Sequence, residues 1–132
     1  MNNEFRIMKP LKSFRELNAW KEGHKLVLQI YKATKTFPKE EMFCLISQMR
    51  RAAVSITSNI AEGFSRQSYK EKLQFYSITQ GSVTEIQNQL LISRDVNYLD
   101  SYNFKVIAEQ TVVVHKLVSG LIRRTKIIIH DS

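Results

Sequence analysis

Cysteine is nearly missing from this chain. Cys44 stands alone, which excludes an internal disulfide and any cysteine-built metal cluster and fits a reducing compartment. Proline occurs twice and glycine four times, so the chain lacks the punctuation of a turn-rich β fold and favours long uninterrupted helices. Long apolar runs are absent too. The longest aliphatic stretches, Val112-Val113-Val114 and Ile127-Ile128-Ile129, fall far short of the ~18 residues that suggest a membrane span. Glu4, with no apolar run of signal-peptide length around it, argues against a secretory leader. The expectation is a soluble cytoplasmic protein without a membrane partner. His24, His115 and His130 are scattered over different segments, and no HExxH or similar ligand spacing accompanies them. No metal, cofactor or catalytic site is expected.

Acidic residues are the scarcer charge: 20 Lys and Arg face 12 Asp and Glu, a net charge of +8. The excess is uneven, with eight basic against three acidic residues in the first 36 positions and three against three over residues 67–98. Such a surface attracts polyanions by replacing the counterions of their phosphates, although basic charge can also serve solubility alone. At 132 residues and 43% hydrophobic composition the chain is one domain with a core of its own.

What is present is helical periodicity. Leu17, Trp20, His24, Val27, Tyr31 and Thr34 alternate steps of three and four, beside a second seam of Ala19, Gly23, Leu26, Ile30, Ala33 and Phe37. This predicts a first helix capped by Asn18 and broken at Phe37-Pro38. A second helix is expected from about Lys39 to Phe64, with Met42, Leu45, Met49, Ala52 and Ile56 inward. Ser68 and Glu71 form a capping-box pair that opens a third helix carrying Leu73, Tyr76, Val83, Ile86 and Leu90. Asp100 or Ser101 caps a fourth, whose seam is Phe104, Ile107, Thr111, Val114, Val118 and Leu121. The predicted fold is all-α, an antiparallel up-down four-helix bundle over residues 13–126, with tails at 1–12 and 127–132.

The second helix is unusual because its seam runs into Asn59 and Gly63, with Gln48, Ala52, Ser55, Asn59 and Glu62 beside it. Polar groups at buried positions need partners. Asn59, Glu62, Ser82 and Glu85 are therefore expected to cluster between the second and third helices, with Arg51 leaning along the stripe to balance Glu62. Gly81-Ser82 is read as a point where another backbone comes close. A pocket with paired carboxylates is one use of such a cluster. A hydrogen-bonded network that fixes register or subunit contacts is the simpler one. His24 is expected in the core or an interface, and Cys44 as a small buried hydrophobe.

These segments resemble the four-helix-bundle proteins first noticed as products of intervening sequences inside bacterial large-subunit ribosomal RNA genes. The resemblance is carried by Leu17-Asn18-Ala19-Trp20, Phe37-Pro38-Lys39-Glu40-Glu41, Arg51-Ala52-Ala53, Ser55, Asn59-Ile60-Ala61-Glu62-Gly63, Ser68-Tyr69-Lys70-Glu71 and Gly81-Ser82-Val83-Thr84-Glu85. Thr57 departs from it, standing where such proteins commonly have proline, so the second helix is expected to be straighter. The resemblance implies a bundle that assembles into a homopentameric ring, and it implies no settled activity. Related accessory variability determinants of diversity-generating retroelements are basic pentameric bundles that bind nucleic acid and a reverse transcriptase. That suggests RNA or DNA, and a reverse transcriptase or another protein, as partners here.

Arg51, Ser55, Asn59, Glu62, Gly63, Gly81, Ser82 and Glu85 are accordingly read as structural and assembly determinants. Lys21, Lys25, Lys32 and Lys35 form a basic stripe on the first helix, and Arg123, Arg124 and Lys126 cluster at the end of the fourth. No aromatic residues interleave the lysines, so the expected contact is with phosphates and independent of sequence. The expected function is a non-enzymatic oligomeric bundle that associates with nucleic acid or ribonucleoprotein. A structural or protein-adaptor ring is the alternative. A metal-independent ribonuclease is a third reading, because Arg124 and His130 match a loose Arg-x4–6-His pattern of helical ribonucleases.

Overall fold

In the computed structural model, which describes residues 10–131, four helices carry most of the chain. They are α1 (Asn18–Thr34), α2 (Ser47–Ser65), α3 (Tyr69–Asp95) and α4 (Ser101–Asp131). No strand occurs among the described residues. A 3₁₀ turn at Phe14–Glu16 leads into α1, and a 3₁₀ turn at Lys39–Glu41 followed by a π turn at Met42–Ile46 leads into α2. The predicted tail at 1–12 lies outside the described residues up to Lys9.

Each helix packs on its neighbours in the chain, and α4 closes onto α1, which makes a four-helix bundle. Cross-helix contacts fix the directions. Met49 meets Ser93, Ser55 meets Ser82, and a side chain at Gly63 would meet Tyr76, so numbering falls on α3 as it rises on α2. The same opposition holds for the other adjacent pairs: Arg50 meets Thr34 and Ile56 meets Gly23, Gln80 meets His115 and Gln87 meets Thr111, and Gln110 meets Glu22 while Ala33 lines a groove with Leu99. The core is aliphatic: Leu26, Ile30, Met49, Ile56, Ile60, Val83, Ile86, Val114 and Val118 are fully buried. Each such side chain contributes about 1.5–3 kcal/mol of burial free energy.

Helix ends follow capping chemistry. Ser68 Oγ accepts from the Glu71 backbone N–H at 3.4 Å, and Asp100 Oδ1 accepts from that of Asn103 at 2.8 Å. The end of α3 is a Schellman motif: Asn97 takes φ 66°, its N–H donates to Arg94 O, and Tyr98 N–H donates to Ser93 O. From α3, Lys72 Nζ donates to the carbonyls of Gly63 and Phe64 at 3.2 and 2.7 Å, closing the negative end of α2.

Several expectations need correction. Asn18 is the first helical residue, not the cap; Leu17 holds the cap position without a side-chain bond. The helix expected from Lys39 instead breaks at Cys44 (φ −122°, ψ −106°), where Glu41 is held by the Tyr98 hydroxyl at 3.1 Å and accepts from Leu45 N–H at 3.4 Å. That break turns Met42, Phe43 and Cys44 outward, so Cys44 is exposed and Met42 leaves the seam. Of the two places expected for His24, the core is excluded: the ring is exposed in the single chain and stacked on Trp20, with centroids 4.8 Å apart. Finally, α4 continues to Asp131, through the positions read as a tail. At Thr57, α2 runs unbroken.

Candidate nucleic-acid interface

Lys21, Lys25, Lys32 and Lys35 are all exposed. Their spacing of four, seven and three keeps them on one line of α1 and its last turn, opposite the buried Ala19, Gly23, Leu26 and Ile30. Only two ion pairs occur among the described residues, Arg66–Glu62 at 3.2 Å and Arg94–Asp95 at 2.9 Å. Among the described residues, none of the four lysines is neutralised by a carboxylate.

The line borders a groove between the end of α1 and the start of α4. The groove has a volume of about 490 Å³, with Gln29, Lys32, Lys35, Leu99, Asp100 and Val106 among its walls. Gln29 Oε1 is shielded from solvent and has no hydrogen-bond partner among the described residues. Asp100 is held below its ordinary value by hydrogen bonds from the Asn103 backbone and side chain. Helical periodicity puts Gln29 on the polar face of α1. Its position between Lys25 and Lys32 was the available signal, and only the approach of α4 gives it a wall to face.

Arg123, Arg124 and Lys126 are exposed near the end of α4. They do not join the α1 line. Gln110 lies opposite Glu22, which puts Arg123 about 20 Å farther along α4 at 1.5 Å per residue. Arg123 and Lys126 border a second groove of about 570 Å³ with Ile122, Ile127 and His130. Arg124 is not among its walls: six residues at 100° each place it well around the helix from His130. The structure therefore does not bring the ribonuclease pair onto one face.

The polar stripe between α2 and α3 resolves into separate pieces. Ser55 and Ser82 hydroxyls lie 2.9 Å apart, and Asn59 Nδ2 donates to Ser55 O at 2.8 Å and Oγ at 2.9 Å. Glu62 pairs with Arg66, not with Arg51, which is exposed. Glu85 accepts from Gln89 Nε2 at 3.3 Å. So Glu62 and Glu85 stand outside the Ser55–Asn59–Ser82 network, and no carboxylate pair forms. Of the two glycines in the pattern, Gly63 is the close-approach point: a β-carbon there would lie 2.6 Å from the Tyr76 ring. At Gly81 nothing lies within 4 Å, because its neighbour Ser82, not Gly81, faces α2. No group of three or more His, Cys, Asp or Glu able to hold a metal occurs among the described residues. No helix there is long and apolar enough to cross a membrane.

Fold and surface together define a class: an all-α four-helix bundle with a line of exposed lysines along its first helix. The sequence model of the 23S rRNA-intervening sequence proteins matches residues 15–120, and the chain belongs to that family. The structure is similar to the crystal structure of a protein of unknown function from the S23 ribosomal protein family of Bacteroides thetaiotaomicron, with a TM-score of 0.74. At 20% identity, over 80% of this chain and 95% of that one, the likeness is one of fold. Comparison with curated proteins finds no match.

Proposed function

We propose that this chain is a non-enzymatic, homo-oligomeric bundle protein, pentameric by the family resemblance, which binds nucleic acid without reading its sequence through the α1 lysine line. The observation that carries this reading is four exposed lysines in one line with no ion pair among the described residues. Assembly would repeat the line around the ring and multiply a weak phosphate contact. The Ser55–Asn59–Ser82 network and the open surface at Gly81 supply a register device and room for a neighbouring copy. A ribonucleoprotein or a reverse transcriptase fits the same surface as a larger partner.

Light scattering with and without single-stranded RNA, at low and high salt, tests both halves. The expected result is a particle several times the 15.4 kDa chain mass that gains mass with RNA at low salt and loses it at high salt. A monomer removes the ring. An assembled ring indifferent to RNA at both salts favours the structural or adaptor reading instead.

A further inference from the structure

We propose that the groove between α1 and α4 seats one nucleotide of a single-stranded nucleic acid, with its phosphate on Lys32 and Lys35 and an adenine edge on the Gln29 amide. This rests on the nucleic-acid reading and adds base discrimination to it. The volume of about 490 Å³ is within the range of pockets for small ligands, about 300–1,000 Å³. Ala33, Leu99 and Ile107 give the groove an apolar lining for the face of a base. The two lysines stand on the α1 side. On the α4 side Asp100 is ionised and already engaged by Asn103, at 2.8 and 2.7 Å, so a phosphate is repelled from that side and drawn to the lysines. Orientation follows from this opposition of charge.

Gln29 supplies the second, independent observation. Its Oε1 is out of reach of water and unpaired, and its Nε2 makes no hydrogen bond among the described residues. A shielded amide carbonyl without a donor is costly to maintain, and rotation of the Gln29 side chain into the groove it lines would bring that oxygen to a ligand N–H and relieve the cost. A glutamine amide matches the adenine edge that sets N6–H beside N7: Oε1 accepts from N6 and Nε2 donates to N7. Guanine offers two acceptors there and the pyrimidines have no N7, so the seat favours adenine.

The test is fluorescence anisotropy of the full chain with oligoadenylate and oligouridylate of equal length, over a salt series. The wild-type protein should bind oligoadenylate about tenfold tighter, in line with one good bidentate contact. Gln29→Leu should abolish the preference and leave the salt dependence unchanged, its fold checked by thermal melting. Lys32→Gln/Lys35→Gln should keep the preference and lower the salt slope by about one to two. Equal affinity for the two oligomers, or a preference that survives in Gln29→Leu, overturns the seat but leaves salt-sensitive binding standing. An unchanged slope in the double lysine variant overturns the phosphate half. No binding of either oligomer overturns the nucleic-acid reading, and the seat with it.

Discussion

A single added methyl distinguishes two glycines that look alike in the sequence. At Gly63 the new β-carbon would lie 2.6 Å from the Tyr76 ring and 3.1 Å from Phe75 Cβ. Overpacking of this kind costs about 1–3 kcal/mol, which outweighs the gain of up to about 1 kcal/mol from alanine in a helix. Gly63→Ala should lower the urea midpoint. Gly81→Ala meets nothing within 4 Å, keeps only the helix gain, and should raise it. Loss of assembled mass in Gly81→Ala would show that a neighbouring copy packs at that position. Tyr76 gives a pH signature: burial first, then the nearby Tyr69, pushes its hydroxyl up from near 10 to about 12. Its contribution to stability is therefore complete below pH 10 and lost as the pH rises toward 12, because the unfolded chain ionises first. Urea melts across that window should show the fall, and Tyr76→Phe should flatten it.

At the scale of elements, local signals were legible and tertiary ones were not. Ser68 with Glu71, and Asp100 before α4, are caps that a few adjacent residues determine. The end of α3 was readable for the same reason, since asparagine tolerates the left-handed conformation that Asn97 adopts at φ 66°. Asn97→Val should destabilise by about 1–2 kcal/mol in thermal melts while Asn97→Gly is neutral or better; equal effects would contradict the cap. The π turn before α2 left no such local trace. Glu40, Glu41 and Met42 read as an ordinary helix start, and the break at Cys44 accompanies a tie from Glu41 to Tyr98 across the bundle. The same distinction explains the polar stripe. Periodicity put Ser55, Asn59 and Ser82 on facing surfaces, where they meet. It could not foresee that Glu62 would choose Arg66, the residue that caps the end of α2.

The whole molecule combines a conventional aliphatic core with a surface whose positive charge is left unspent. Twelve acidic side chains can pair with at most twelve of the 20 basic ones, and composition alone does not say which are left over. The bundle shows the lysines of the α1 line exposed and without an ion pair among the described residues, with the basic end of α4 as a separate patch. That separation makes the account testable by charge removal on one helix. The direct measurement is the slope of log affinity against log salt for single-stranded RNA, compared between the wild-type protein and Lys21→Gln/Lys25→Gln/Lys32→Gln/Lys35→Gln. At about 0.7 per phosphate contact in single strands, loss of four contacts should reduce the slope by about three and weaken binding at low salt. Absent or salt-insensitive wild-type binding, or an unchanged slope in the variant, would contradict the α1 face as a nucleic-acid interface.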